Sequence, residues 1–318
     1  MGERILVEGR AGTGGRQATA CREERGDLEL LEIDDSERKN DKVKRDIIDA
    51  ADLVILCLPD DAARDTVALA ADGPARLLDA STAHRVNPDW VYGLPELCPT
   101  QRESIAGARL VSNPGCYPTG FLLATRPLVD EGLLKKDAPL TINALSGYSG
   151  GGRKMIERYE ARAAEHPDNL WYHRPYALSL SHKHVPEMTF YAGLDKEPFF
   201  LPSVGHFAQG MLVNVPLFRD FLASGTTIEQ ITNTLKARYA DEPCVEVHEP
   251  NSGSELEDGF LDPQANNGTN HVDIFVYGHE EQVLLVSRLD NLGKGASGAA
   301  VQNLNLMLGT EELHGLRA

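Results

Sequence analysis

One of the five cysteines stands where a thiol would become reactive. Cys116 follows Ser112-Asn-Pro-Gly, between the apolar run Leu110-Val111-Ser112 and a helix expected from about Tyr117 to Glu131. A thiol at a helix N-terminus meets unsatisfied N–H groups and the positive end of the helix dipole, which favour the thiolate and lower its pKa. Gly115 leaves room for a carbonyl beside the sulfur, and the N–H groups of the turn are candidates to receive an oxyanion. Pro118 suits a first helical turn, where no N–H is needed. The chemistry expected is nucleophilic attack on an activated acyl group. Cys21, Cys57, Cys98 and Cys244 have no such setting and read as inert.

A thiolate needs a base, and two of the ten histidines stand together in His182-Lys-His184-Val-Pro-Glu187. Residues two apart on an extended segment share a face. Glu187 is then placed to orient an imidazole, as the third member of a nucleophile–base–orienter set does. A zinc cluster and a surface cluster without a role are the competing readings of the same residues. Arg85 in Asp79-Ala-Ser-Thr-Ala-His-Arg85, which ends a predicted strand, reads equally as an anion clamp or as a solvated surface arginine. Ligands in open α/β sheets bind at the C-terminal ends of strands.

The elements that must position these groups follow from periodicity. Ile5 to Val7, Leu28 to Ile33, Leu53 to Leu58 and Arg76 to Ala80 are apolar runs, alternating with helices over Gln17 to Arg25, Val43 to Ala51 and Asp61 to Ala71. Continuous apolar strands between helices imply a parallel sheet covered on both faces. The first strand runs into Gly9-x-x-Gly12-x-x-Gly15, a loop suited to close approach of a pyrophosphate at a helix N-terminus. Asp34 at the end of the second strand favours a ribose hydroxyl and NAD, whereas Ser36, Arg38 and Lys39 suit the 2′-phosphate of NADP. The residues alone leave that choice open.

Beyond Cys116 the pattern changes. A strand over Thr141 to Leu145 enters a second glycine-rich loop, Ser146 to Gly152. A helix is expected at Thr227 to Tyr239, a hairpin at His271 to Tyr277 and Gln282 to Asp290, and an apolar helix at Ala296 to Leu308. This mixture suggests an α+β substrate domain. The net charge of −17 opposes a general affinity for nucleic acid. The N-terminus lacks a secretory pattern, and no run approaches the roughly twenty apolar residues that cross a bilayer. Five scattered cysteines without a CxxC pair fit the cytoplasm.

Five stretches in order resemble N-acetyl-γ-glutamyl-phosphate reductases of the shorter bacterial form, over nearly the whole chain. They are Tyr92-Gly-Leu-Pro-Glu96-Leu97, Ser112 to Gly120, Ser146 to Gly152, His182 to Glu187 and Asp290 to Gly298. The resemblance implies an α/β protein with a Rossmann-like NADP-binding domain over residues 1–115, completed by a C-terminal helix within 295–318. It also implies an α+β substrate and dimerisation domain of the semialdehyde dehydrogenase type over 116–294. It makes Cys116 the nucleophile and His184 the base, with Arg85, Tyr176, His182 and Glu187 on the substrate. Gly9, Gly12, Thr13, Gly15, Ser36, Arg38, Gly150, Gly151 and Asn291 fall on the cofactor side, and NADP is favoured over NAD. The reaction implied is NADPH-dependent reduction of a small acyl phosphate to an aldehyde through a cysteine thioester, in arginine biosynthesis. No metal, nucleic acid or membrane is implied, and the assembly expected is a cytoplasmic homodimer or homotetramer. Aspartate-semialdehyde dehydrogenase is the nearest rival, sharing this chemistry on a shorter acid.

Overall fold

A computed structural model describes residues 2–9, 26–34, 36–37 and 40–318. The helix expected over Gln17 to Arg25, with Gly12, Thr13, Gly15, Cys21, Arg38 and Lys39, lies outside the described residues. The chain divides into two units: Met1–Pro114 with Ala296–Leu316, and Gly115–Gly295 with Arg317–Ala318.

The first unit is built on six parallel strands in the order β2-β1-β3-β4-β6-β5. They are β1 (Glu3–Glu8), β2 (Leu28–Leu31), β3 (Leu53–Leu56), β4 (Arg76–Asp79), β5 (Val91–Tyr92) and β6 (Leu110–Ser112). Successive side chains point to opposite faces, so β1 feeds two cores. Ile5 and Val7 join Leu53, Ile55, Leu78 and Val111 beneath Ala300, Leu304 and Met307 of the C-terminal helix, Gly298–Leu308. Leu6 joins Val54, Leu56, Leu77 and Ile48 on the other face. Both faces are covered, as the uninterrupted apolar strands require. The strand order reverses between β1 and β3, the switch point where such sheets bind ligands.

The second unit holds a mixed seven-stranded sheet, β11-β14-β15-β10-β7-β9-β8. These strands are β7 (Thr141–Gly147), β8 (His173–Pro175), β9 (Phe199–Gly205), β10 (Met211–Phe218), β11 (Val245–Val247), β14 (Val272–His279) and β15 (Gln282–Leu289). The fifteen-residue helix Cys116–Asp130 lies on this sheet and is almost wholly buried. Gly120 brings its backbone flush with β10 and β15: a Cβ there would meet Val213 Cγ2 at 2.9 Å, and the Ser287 hydroxyl donates to the Gly120 carbonyl at 2.7 Å. The hairpin and the helices at 116, 228 and 298 lie where the sequence predicts them. Strands β9 and β10 and the helices Gln101–Gly107, Arg153–Glu165 and Val185–Ala192 were not anticipated. Among the described residues, no helix is long and apolar enough to cross a membrane.

Candidate active site

Cys116 is the first residue of its helix, with Gly115 as N-cap and no side chain capping the end. The Asn-Pro-Gly turn before it is fastened at two points. Asn113 donates from its side chain to the Ala296 carbonyl at 2.9 Å and accepts from Asn303 at 3.0 Å. The Gly115 N–H donates to Glu187 Oε1 at 2.8 Å. Glu187 is buried and meets the turn as a hydrogen-bonded carboxylate. The Gly115 N–H, expected to be available to an oxyanion, is thereby engaged. Gly295 packs against Cys116: a Cβ there would sit 2.8 Å from Cys116 Cβ.

The paired histidines meet, but by a different local geometry from the extended one expected. His182 precedes a turn, and His184 caps the helix Val185–Ala192 in an αR conformation, with Pro186 in its first turn. The turn brings the His184 N–H onto His182 Nδ1 at 3.2 Å, and the two rings lie 4.8 Å apart at 73°. Because Nδ1 of His182 accepts a hydrogen bond, that ring is the Nε2–H tautomer. Burial, with Lys183 adding to it, pushes the His182 pKa down to about 4, so the ring is neutral near pH 7. It offers a hydrogen-bond donor in place of the positive charge that an imidazolium would bring to a phosphate.

Tyr117, absent from the sequence-predicted set, is at the centre of this cluster. Its ring is 5.9 Å from His184, 6.1 Å from His182 and 5.1 Å from Phe200 of β9. The Tyr176 hydroxyl donates to the Tyr117 hydroxyl at 3.3 Å. Burial raises both phenols, Tyr176 to about 12, with the adjacent Cys116 adding to the effect, so both stay protonated. The available signal for Tyr117 was only its place next to the cysteine. Cys116, His182, His184, Glu187 and Tyr176 are therefore brought together in the second unit.

Arg85 sits on the loop after β4 in the first unit. Asp79 organises that loop: its carboxylate accepts from the Ser81 N–H at 2.9 Å, the Ser81 hydroxyl at 2.7 Å and His84 Nδ1 at 2.7 Å. His84 stacks on Trp90 at 4.3 Å, and the buried Arg85 guanidinium donates to the Ala80 carbonyl at 3.2 Å. Gly9 ends β1 at the switch point with φ of +82°, and a Cβ there would collide with the Cys57 carbonyl. A glycine at this position, following a strand at the switch point, fits the close approach of a dinucleotide pyrophosphate. Ser36 donates through its N–H and hydroxyl to Asp34 Oδ1, at 2.8 and 2.6 Å, and these bonds lower the Asp34 pKa.

The second glycine-rich loop is anchored by Asn291. Its side chain donates to Ser149 Oγ at 2.9 Å and accepts from the Gly210 N–H at 2.8 Å, while Gly150 and Gly151 remain exposed. Asn291 is itself buried.

Comparison with known proteins accords with this arrangement. Residues 14–106 match the model of the semialdehyde dehydrogenase NAD binding domain, and residues 116–291 match that of the semialdehyde dehydrogenase dimerisation domain. The chain is 48% identical over 323 residues to N-acetyl-gamma-glutamyl-phosphate reductase 2 of Nostoc sp., covering 98% of this chain and 99% of that one. It is also 48% identical over 313 residues to N-acetyl-gamma-glutamyl-phosphate reductase of Brucella ovis, covering 97% and 100%. Among solved structures, aspartate semialdehyde dehydrogenase II of Vibrio cholerae superposes with a TM-score of 0.73 at 14% identity, covering 97% of this chain and 99% of that one. The Candida albicans aspartate semialdehyde dehydrogenase with NADP gives 0.66 at 13% identity, covering 97% and 99%. Those two likenesses concern the fold. The near-full-length identity and the two matching domains show that the chain belongs to the semialdehyde dehydrogenase family, among its N-acetyl-gamma-glutamyl-phosphate reductases.

Proposed function

We propose that this protein reduces N-acetyl-γ-glutamyl phosphate to N-acetylglutamate 5-semialdehyde and phosphate, using NADPH, as a cytoplasmic homo-oligomer of the arginine pathway. The observation that carries the reading is Cys116 at a helix N-terminus whose next residue, Tyr117, packs on the His182–His184 pair, in a chain 48% identical to reductases of that name. The dimerisation-domain match supports self-association. The preference for NADP rests on the family resemblance and on Ser36, Arg38 and Lys39, which follow the second strand.

His184 takes the Cys116 proton, and the helix terminus stabilises the resulting thiolate. The thiolate attacks the acyl carbon; the C–O bond to phosphate breaks, phosphate departs with the electron pair, and a Cys116 thioester remains. Arg85 supplies positive charge to an anionic group of the substrate, and neutral His182 donates through Nε2–H. Gly9 in the first unit would hold the nicotinamide cofactor, which when bound would supply hydride for reduction of the acyl carbon. The C–S bond then breaks to release the aldehyde and regenerate the thiolate. Glu187 holds the Gly115 turn throughout, fixing the direction in which the sulfur points.

The reverse reaction tests this. Purified protein given N-acetylglutamate semialdehyde should reduce NADP only when arsenate or phosphate is present, and Cys116→Ser should bind NADP without turnover. Faster reaction with aspartate semialdehyde would overturn the substrate, and faster reaction with NAD would overturn the cofactor.

A further inference from the structure

Three metal-ligating side chains, Glu246, His271 and Asp273, converge at the β11–β14 edge of the second unit's sheet, with His248 beside them, opposite the β9–β8 edge beside which the catalytic histidines lie. Glu246 on β11 is the cross-strand partner of Asp273 on β14. His248 follows β11 directly, and His271 immediately precedes β14. Nε2 of His248 is 3.0 Å and Nε2 of His271 is 3.3 Å from the same oxygen, Asp273 Oδ1. Nε2 of His271 is also 3.6 Å from Glu246 Oε2. Zinc bound at about 2.0–2.1 Å holds tetrahedral ligand atoms about 3.3–3.4 Å apart. The His271–Asp273 and His271–Glu246 separations lie close to that edge length.

The surroundings are those of a supported site. Arg288 donates to the other oxygen of Asp273 at 2.6 Å and to Glu255 at 2.7 Å, which leaves Oδ1 facing the imidazoles. The His248 ring is fixed by stacking on Phe275 at 4.3 Å and 7°. Partners of this kind orient the ligands of metal centres. With neutral imidazoles, the carboxylates of Glu246, Asp273 and Glu255 against Arg288 leave two net negative charges for a divalent cation to offset. Glu246 is 61% exposed, which gives an ion a way in from solvent.

We propose that Glu246, His271 and Asp273 bind one zinc ion, with His248 hydrogen-bonded to the Asp273 ligand oxygen as its support, clamping β11 to β14 in a structural role separate from the reaction at Cys116. The full-length protein, stripped with chelator and dialysed against zinc, should retain one equivalent and unfold at a higher temperature. Cobalt(II) in its place should give the visible spectrum of a tetrahedral site without a thiolate charge-transfer band, which separates this site from Cys116. His271→Asn and Glu246→Gln, the second at an exposed position that leaves folding unaffected, should each weaken zinc at least about tenfold, and Cys116→Ser should not. Absence of stoichiometric uptake, or uptake lost in Cys116→Ser and unchanged in Glu246→Gln and His271→Asn, overturns the proposal; the four side chains would then form an ion-pair network only.

Discussion

The neutral state of His182 can be tested by lowering the pH. In the folded chain its pKa is about 4, against an ordinary value of 6.5, because burial and Lys183 disfavour the charged ring. Between those values the unfolded chain takes up a proton that the folded chain refuses. This contribution to stability is therefore complete above about pH 6.5 and is lost as the pH falls toward 4. The shift corresponds to about 3 kcal/mol, reduced to about 2 kcal/mol by the ring's partial contact with water. The perturbation is acidification of the wild type and of His182→Asn, read by denaturant unfolding and by NMR titration of the histidine ring protons. The His182 resonance, identified by its loss in the variant, should stay unprotonated down to about pH 5. The stability difference between the two proteins should change by about 2 kcal/mol between pH 6.5 and 4, the wild type losing more. A His182 pKa at or above 6.5 would refute the reasoning and restore a cationic role toward phosphate.

Other outcomes follow from the same geometry. His184→Asn should lower kcat about a hundred- to ten-thousandfold, and should slow iodoacetamide labelling of Cys116 near neutral pH while NADP binding persists. Glu187→Ala leaves the buried Gly115 N–H without its acceptor and should cost about 1–3 kcal/mol in thermal unfolding; Glu187→Gln, which keeps an acceptor oxygen, should recover most of that. Gly295→Ala drives a methyl group against Cys116 and should destabilise by about 1–3 kcal/mol, with kcat falling more than NADP affinity.

Much of this arrangement was legible because its signals are local. The cysteine's helix terminus follows from Asn-Pro-Gly-Cys, and the parallel sheet from apolar strands separated by helices. Strands β9 and β10 were not legible, since Pro202 and Pro216 argue against interior strands. The structure accommodates Pro216 because β7 pairs only with Met211 to Asn214, leaving Pro216 a ladder with β15 alone. The role of Glu187 was also hidden. Its acceptor contact is with a backbone N–H 72 residues away, and spacing within His182 to Glu187 pointed instead to the nearby imidazole.

The return of the C-terminal helix to the first unit has a consequence for the order of folding. Ala300, Leu304 and Met307 complete the core that begins with Ile5 and Val7, yet the whole of residues 115–295 is synthesised between them. At ribosomal rates that interval lasts roughly 10–40 s. During it that face of the nascent parallel sheet lacks the cover of Ala300, Leu304 and Met307, while the second unit, nearly contiguous in sequence, already holds the strands for its own core. The nucleotide-binding half should therefore consolidate last although it is made first, and chains interrupted before residue 296 should be the ones that chaperones retain.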